Sequence, residues 1–556
     1  MHDRRPGVFE CSKGSARALV AGVLFLGACT STTAVPTGDD GGVVDGGSVP
    51  GGDLRTAGEG GATEAGGGSG DGSSLPAGDG GAAPGTDARR RDGAAGGDRG
   101  TVAPGSCAQT TPASPGTSGR QLYVAPTGND STGDGSQQKP LRTLPAAGSR
   151  AKPGDTIYLR GGTYAGTSWR FTAVGTAAQP IVVLPYAGEK VVLSGRGASI
   201  AENDAILTIA SSSHVVFDGF ELTESTGRGL SVYESDHVAI RRCVIHAIKF
   251  RALGGAGSDV AFEGNEVYDA ATANTSGSYG GGGWPGCVQL ARRKDGSRST
   301  SMSFVNNHIH DCWGECLIPS FVDGLVVRGN RVHDCYSVNV YVGHVRRAVI
   351  DRNIVYTTTA KYDRVDNGQT ATGIHLALEY YSGAPAVPLE EIVISNNLVL
   401  GTGSGIGYWS DPQNKSPTNT YKNVQLLYNV VMGAKGVAMR FRPVASGATA
   451  PSGCVAQNNI FYAGQNGSTL EVGNPTGWSF ASNDFPNGVP QLASAPGNFA
   501  ADPQFVSPVK GGPAEGFKVK SSSPCRGAGS PSSAAGSDYF CTARSASKPT
   551  VGLHEL

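Results

Sequence analysis

The sequence predicts a parallel β-helix, a solenoid in which every turn of the chain adds short strands to long parallel sheets. A 23-residue repeat is the first observation: the segment 303–312 (SFVNNHIHDC) recurs at 326–335 (VVRGNRVHDC), and 335 − 312 = 23. The second is the local pattern, in which apolar residues alternate over short runs that Asn and Gly interrupt. A unit of this size cannot bury its apolar side alone, so it must stack on its neighbours.

A column of asparagines is the third observation. Each lies between two short predicted strands, and Phe220 and Cys243 occupy the same place in two earlier coils. Because Asn tolerates the left-handed conformation and bonds to neighbouring backbone, such a column in a tight turn is structural. The column comprises Asn265, Asn307, Asn330, Asn353, Asn397, Asn429 and Asn459.

The N-terminal region predicts export. Within residues 1–28, four basic residues precede the apolar run 18–26, which is shorter than the about 20 residues of a membrane span. The run ends in Leu-Gly-Ala-Cys29, which resembles the lipobox of bacterial lipoproteins. This resemblance implies a diacylglycerol on Cys29, and Thr30 implies delivery to the outer membrane. We expect a lipid-anchored protein of the bacterial envelope, on the outer membrane or cell surface, or an extracellular one; an ordinary signal peptide is the alternative.

Residues 29–119 predict a disordered, Gly-rich tether. No Phe, Tyr or Trp occurs between Thr30 and Arg120, so the segment cannot bury enough apolar surface to offset its chain entropy. The remaining residues, 120–556, predict one domain, with repeats over about 205–475 and a C-terminal cap over 476–556. The net charge of −1 gives no reason to expect a nucleic acid partner, and we expect a monomer.

The start of this domain carries a family resemblance. Residues 122–136 (LYVAPTGNDSTGDGS), the Lys139-Pro-Leu motif with its short predicted helix, and residues 152–158 (KPGDTIY) are similar to the N-terminal cap of family-nine pectate lyases. The later coils resemble those of the pectate-lyase superfamily. The resemblance spans about 121–556 and implies an all-β, right-handed parallel β-helix of the pectin-lyase-like type. An atypical first unit that covers the end of the solenoid is the structural explanation of the same block.

Strand alternation predicts an exposed row on the third strand of each coil. It sends Ile374, Leu376 and Leu378 inward and His375 and Glu379 outward. The largest interruptions of the repeat occur in loops next to this row, as expected of a binding face, although neutral loop growth is an alternative. The predicted row contains Ser231, Tyr233, Gln289, Asn339, Tyr341, His375, Glu379, Tyr408 or Trp409, Arg440 and Arg442.

The catalytic residues of family-nine lyases do not carry over. The resemblance implies an aspartate cluster and a lysine on this face, and the matching positions lack both. Elimination from a uronate needs a base and a cation that neutralises the carboxylate. We predict His375 as the base, with Arg440 and Lys361 as further catalytic candidates. A solvated charged loop beside an exposed His is the alternative.

Ligand-binding candidates come from the same face. Asp363, Asp366 and Glu379 offer oxygen ligands for Ca²⁺. An anionic polysaccharide is the expected partner, because sugars stack on aromatic rings and Arg binds carboxylates. The substrate-binding candidates are Gln289, Asn339, Tyr341, Glu379, Tyr408, Trp409 and Arg442.

The cysteines suggest structural roles. His310, Cys312, His333 and Cys335 are suitable zinc ligand types, but alternation places each His on the same face as its Cys, and we favour a disulfide or buried thiols. Of the 11 Cys, Cys11 leaves with the signal and Cys29 is lipidated, and the odd remainder of nine requires a free thiol. Cys525 and Cys541 are an expected pair.

Three functions remain open at the level of sequence. The first is an enzyme that cleaves acidic glycans by β-elimination, suggested by the family resemblance and the enlarged loops. The second is a non-catalytic carbohydrate-binding surface protein, suggested by the missing lyase residues. The third is an adhesin or envelope spacer, suggested by the long tether. Fold resemblance alone does not decide between them.

Overall fold

Three parallel sheets wind around one apolar core in the computed structural model, which describes residues 119–277, 285–380, 387–411, 416–463 and 469–556. The predicted signal, Cys29 and nearly all of the tether lie outside these residues. All named strands pair in parallel, and His310 and Cys312 pair with His333 and Cys335. The β-helix and its 23-residue coil are therefore confirmed.

The first sheet holds the strands that precede the asparagine turn. Its strands are Gln121–Val124, Thr156–Leu159, Ile181–Pro185, Ser213–Asp218, the second halves of Arg228–Arg241 and Leu253–Glu263, Ser299–Val305, Val322–Arg328, Arg346–Asp351, Leu389–Ser395, Tyr421–Leu427, Cys454–Gln457 and Trp478–Ala481.

The second sheet holds the strands that follow this turn, and the third sheet completes each coil. The second comprises Gly162–Ala165, Val191–Ser194, Glu221–Ser225, Val244–Ile248, Glu266–Ala270, His308–Cys312, Arg331–Cys335, Ile354–Tyr356, Leu398–Leu400, Val430–Ala434 and Ile460–Ala463. The third comprises Trp169–Phe171, Ala205–Ala210, the first halves of Arg228–Arg241 and Leu253–Glu263, Val288–Leu290, Leu317–Ile318, Val338–Gly343, Thr372–Leu378, Ile406–Ser410, Met439–Phe441 and Leu470–Val472.

Helices are short and few in the described residues. The α-helix Leu144–Gly148 confirms the helix predicted after Lys139, and its Leu144 and Ala147 cover the N-terminal end of the core. Single 3₁₀ turns are Tyr186–Gly188, Thr272–Asn274, Ala360–Tyr362, Pro475–Gly477, Gln491–Ala493 and Ala514–Phe517. Within these ranges no helix is long and apolar enough to cross a bilayer.

The asparagine column forms a continuous hydrogen-bonded ladder. Each side-chain amide donates to the side-chain oxygen of the next member at 2.8–2.9 Å, from Asn265 to Asn459. The ladder then continues to Asn483 and Asn498, beyond the predicted repeats. The left-handed residue of the turn is the one before the ladder member, such as Gly329 or Arg352. The ladder asparagines therefore act through their side chains, which satisfy turn groups that water does not reach.

The inside of the solenoid is apolar, as alternation predicts. Ile374, Leu376 and Leu378 all lie in the main core. Phe485 and Ala493 close its C-terminal end, whereas Phe517, Val551 and Leu553 pack on the outside of the second sheet against Leu398 and Val430. The C-terminal segment after residue 499 therefore covers a side of the solenoid as well as following its end.

Cys312 and Cys335 have the structural roles that were predicted, but they do not pair with each other. Cys335 forms a disulfide with Cys316, at a Cα–Cα distance of 5.6 Å, and Cys312 is a free buried thiol. Cys541 is disulfide-bonded while Cys525 is free and buried, so the expected pair of these two is wrong. Cys525 instead packs among the apolar residues that cover the second sheet.

Candidate functional site

A continuous row runs along the outer face of the third sheet. Tyr341 pairs with His375, His375 with Gly407, and Gly407 with Arg440. Because parallel strands stack in register, these side chains share one face. Towards the N-terminus the row continues through Gln289 to Ser231. The row has the predicted position, and the roles of its residues stay predictions.

His375 is buried at the centre of this row. Its Nε2 lies 3.0 Å from Ser404 Oγ. A side chain at Gly407 would meet the ring, since a Cβ there would lie 2.9 Å from Nε2, so the glycine makes room for the imidazole. Burial, followed by the charges of Arg440 and Arg442, lowers the pKa of His375 to about 3. The expectation that His375 is exposed is therefore wrong.

Two guanidinium groups lie next to His375 on the outer face. Arg440 Nε donates to Glu471 Oε2 at 2.8 Å. Arg442 is half-buried, and its buried Nε has no hydrogen-bond partner among the described residues. Burial and the neighbouring Arg440 lower the pKa of Arg442. A buried donor without a partner favours an anion that supplies the missing acceptor.

The aromatic candidates differ in accessibility. Tyr408 points into the core, where its hydroxyl donates to Asn419 Oδ1 at 3.1 Å, so Trp409 is the outward residue of that pair. Trp409 is half-buried and packs against Tyr341 and Ala377. Tyr341 is buried and its hydroxyl donates to Glu379 Oε1 at 2.6 Å. Trp409 is therefore more accessible to a sugar than Tyr341 or Tyr408.

Two other candidates are engaged in hydrogen bonds of their own. Asn339 is fully buried, and its Nδ2 donates to the carbonyl of Thr372 at 2.8 Å. Lys361 Nζ donates to the Tyr362 hydroxyl, which donates to Asp311 of the second sheet at 3.0 Å. The loop that carries Lys361 thus folds towards the second sheet, and the predicted convergence of Lys361 with His375 is wrong.

The three carboxylates predicted for Ca²⁺ do not fit a shared site. Asp366 Oδ2 lies 2.6 Å from Arg364 Nη2. Glu379 accepts the Tyr341 hydroxyl, and Asp363 Oδ2 lies 3.6 Å from Lys435 Nζ. In the described part of the chain, the carboxylate oxygens of Asp363, Asp366 and Glu379 are not close enough together to bind one metal ion. Calcium needs six to eight convergent oxygens, so the predicted ligand set is wrong.

The His-Asp-Cys repeat also has an unexpected geometry. Cys312 and Cys335 are buried in the core, whereas His310 and His333 face outward on the second sheet. Asp311 (φ 53°) and Asp334 (φ 55°) are left-handed and interrupt the alternation by one residue. Each His therefore lies on the face opposite its Cys, contrary to the prediction.

Sequence reasoning missed three residues around His375. Ser404 and Gly407 lie one coil after it, and Glu471 lies one coil after Arg440. The sequence feature that indicates Ser404 and Gly407 is the Gly-apolar pair at 405–406, which sets the register of that coil. Glu471 follows a poorly repetitive segment, so the sequence gives no comparable signal for it.

Known proteins resemble parts of this chain. Residues 122–281 match the family described as "Pel9A-like, right handed beta helix region", and residues 294–424 match "Right handed beta helix region". An uncharacterized Bacillus subtilis protein, YwoF, is 35% identical over 147 residues, which is 25% of this chain. Pectate lyase PEL9 from Emericella nidulans is 44% identical over 75 residues, which is 13% of this chain.

The reach of these likenesses is limited. The alignments span 31% of the Bacillus protein and 18% of the Emericella lyase, so the chain matches less than a third of either curated relative. The solved structure of XylC with xylose has a TM-score of 0.52 at 12% identity, over 78% of this chain and 98% of that one. The chain therefore contains a Pel9A-like region and has the right-handed β-helix fold.

Proposed function

We propose that this protein acts on an anionic polysaccharide bound along the outer face of the third sheet, and that it cleaves the chain by β-elimination. The observation that carries the proposal is the half-buried Arg442, whose Nε has no hydrogen-bond partner in the described part of the chain, beside Arg440 and His375. A uronate carboxylate accepts charge-assisted hydrogen bonds from the half-buried guanidinium of Arg442. The likeness of one segment to a pectate lyase supports the same substrate class.

The reaction assigns complementary tasks to the Arg and His residues. Arg440 and Arg442 hold the carboxylate, which makes the proton on the adjacent sugar carbon, C5, more acidic. His375 accepts that proton, the C–H electrons form the C4–C5 double bond, and the C4–O bond breaks. The departing glycosidic oxygen takes a proton from solvent. At neutral pH the His375 imidazole is uncharged, because its pKa lies at about 3, so it is in the form that accepts a proton.

Substrate binding is expected to make His375 a stronger base. The two arginines contribute to its low pKa, after burial. A bound carboxylate offsets their positive charge, which removes part of the electrostatic penalty on the imidazolium. In the tautomer in which Nε2–H donates to Ser404 Oγ, Nδ1 carries the lone pair that accepts the proton. The base is thus activated by the same anion that it acts on.

The first prediction tests the activity directly. Incubation with a panel of polyuronates should produce the ultraviolet absorbance of an unsaturated uronate with at least one of them, while neutral glycans of similar length should give none. The physical reason is the cationic pair, which a neutral sugar does not satisfy. If the protein binds a polyuronate but none of the polyuronates yields the absorbing product, the protein is a non-catalytic carbohydrate-binding protein instead of an enzyme. If binding is also absent, the proposal fails.

The non-catalytic alternative has its own support. A His with a pKa of about 3 is a weak base before substrate binds. Glu379, the other titratable acceptor of the predicted row, already accepts the Tyr341 hydroxyl. These features suit a surface that binds an anionic glycan and leaves it intact, and the absorbance assay separates the two functions.

The second prediction concerns location, and we propose that Cys29 carries a lipid that anchors the chain to the bacterial envelope. Cys29→Ser should move the protein from the detergent phase to the aqueous phase after phase separation, since it removes the thiol that carries the lipid. Cys11→Ser is the matched control, because Cys11 lies within the predicted signal. Retention of the Cys29 variant in the detergent phase would contradict the anchor.

A further inference from the structure

Three histidines converge on the outer face of the second sheet, away from the row that contains His375. His308 and His310 flank the core residue Ile309, and His333 lies beside His310 in register. One ring nitrogen from each of the three lies within 4.8 Å of the other two. The shortest separation, 2.9 Å, joins His308 Nε2 and His333 Nε2.

Two carboxylates fix the orientation of these rings. Asp311 Oδ2 lies 2.7 Å from His310 Nδ1, and Asp334 Oδ2 lies 2.8 Å from His333 Nδ1. Each aspartate accepts the Nδ1 proton of the His before it, which leaves the Nε2 lone pair available as a ligand. Both aspartates have left-handed backbone, which lets each carboxylate reach the preceding ring.

The carboxylates are themselves held in place. The Tyr362 hydroxyl donates to Asp311 at 3.0 Å. The Thr358 amide and hydroxyl both donate to Asp334 at 2.7 Å. A carboxylate that holds a metal-binding His, and is hydrogen-bonded in turn, is the usual support of a protein metal site.

The lone pairs of several acceptors point towards the same place. His310 Nε2 lies 3.4 Å from Glu266 Oε1, and His308 Nδ1 lies 3.7 Å from the same oxygen. With Nδ1 of His310 and His333 protonated, the Nε2 atoms of these two rings and the Glu266 carboxylate are acceptors, and His308 supplies the N–H between its Nε2 and that of His333. A metal ion at this place would replace that proton, because ligand nitrogens must be deprotonated to bind a metal.

We propose that His308, His310 and His333 bind one divalent first-row transition ion, of which Zn²⁺ is the representative, with Glu266 beside the site. Tetrahedral bonds of about 2.1 Å place ligand nitrogens about 3.4 Å apart. The observed nitrogens are slightly closer than this in one pair and lie within 4.8 Å overall. Small rotations of the rings therefore reach coordination distance, and imidazole ligands suit Zn²⁺, Cu²⁺ and Ni²⁺ better than Ca²⁺.

The surrounding rings leave one direction open to solvent. His310 stacks on Tyr268 and His333 stacks on Tyr356, with ring centroids 5.4 and 4.4 Å apart. The side chains of His310 and His333 are only 14% and 13% exposed, whereas those of His308 and Glu266 are 37% and 44% exposed. A metal ion can therefore enter from the side of His308 and Glu266. This site does not depend on the proposed polysaccharide activity.

Zinc titration of the full chain, with any affinity tag removed, tests this site. Calorimetry should give one Zn²⁺ per chain, and His333→Gln and His310→Gln should each weaken binding by about 100-fold or more. His246→Gln is the matched control, because His246 stacks on Tyr268 in the same row but lies outside the trio. This variant should bind like the parent.

Cobalt provides a second measurement that needs no variant. Co²⁺ should give the intense visible bands of a tetrahedral nitrogen and oxygen site in the parent protein, and added Zn²⁺ should abolish them. The proposal is overturned if the parent binds no Zn²⁺. It is also overturned if His246→Gln weakens binding as much as His333→Gln does, or if correctly folded His310 and His333 variants bind like the parent.

Discussion

Replacing Asn330 with alanine should lower the free energy of unfolding by roughly 3–5 kcal/mol. Asn330 is fully buried in the middle of the ladder. Its Nδ2 donates to the Phe304 carbonyl and to Asn353 Oδ1, both at 2.9 Å. Its Oδ1 accepts the backbone and side-chain amides of Asn307, also at 2.9 Å. Alanine leaves these buried groups without partners, and that penalty exceeds the value of an ordinary hydrogen bond.

Denaturant titration followed by circular dichroism measures this loss. Asn367→Ala is the control, because Asn367 is exposed and accepts the Gln369 amide in a loop. It should change the unfolding free energy by about 0.5 kcal/mol or less. If Asn330→Ala is as mild as the control, the ladder is not the main stabiliser of this turn.

His375→Ala should reduce turnover of the polyuronate by about 100-fold or more, with a smaller effect on binding. The reason is that the proposed base is lost while Arg440 and Arg442 remain. Steady-state kinetics by the unsaturated-uronate assay gives kcat and KM separately. His237→Ala is the control, since His237 is exposed on the first sheet and pairs with Asp259.

The pH profile and an arginine variant make this prediction specific. A base must be unprotonated to act, and a pKa of about 3 keeps free His375 unprotonated throughout the neutral range. The value of kcat/KM should therefore show no fall on the acid side near pH 6.5, where an ordinary His titrates. Arg440→Ala should instead raise KM. An acid limb near pH 6.5 that disappears in His375→Ala would contradict the buried, low-pKa His375.

Some parts of the site followed from local pattern. The row through Tyr341, His375 and Arg440 could be predicted because alternation and the stacking of equivalent strands are properties of the repeat itself. The burial of His375 could not, since it depends on Ser404 and on the bare backbone of Gly407 in the next coil. The pKa of His375 follows that burial rather than the residue type.

Loops and bulges account for the wrong predictions about Lys361 and His310. Lys361 lies in a long loop, and nothing in the local pattern says that the loop packs towards Asp311 instead of His375. Strand alternation placed His310 beside Cys312, but the left-handed Asp311 separates them onto opposite faces. A single residue with positive φ reverses every side-chain direction after it.

The sequence by itself determined the solenoid: the 23-residue period, the asparagine column and the alternation of apolar residues all depend on contacts between equivalent positions in adjacent coils. Only the tertiary structure decided which cysteines pair, which side of the sheet each histidine occupies and what covers the second sheet. Those outcomes depend on contacts between positions that the repeat does not make equivalent, such as the disulfide between Cys316 and Cys335 and the packing of Val551 in the cluster that contains Leu398. A repeat pattern shows which positions of adjacent coils stack on each other. Contacts between positions that do not correspond depend on packing across the whole domain.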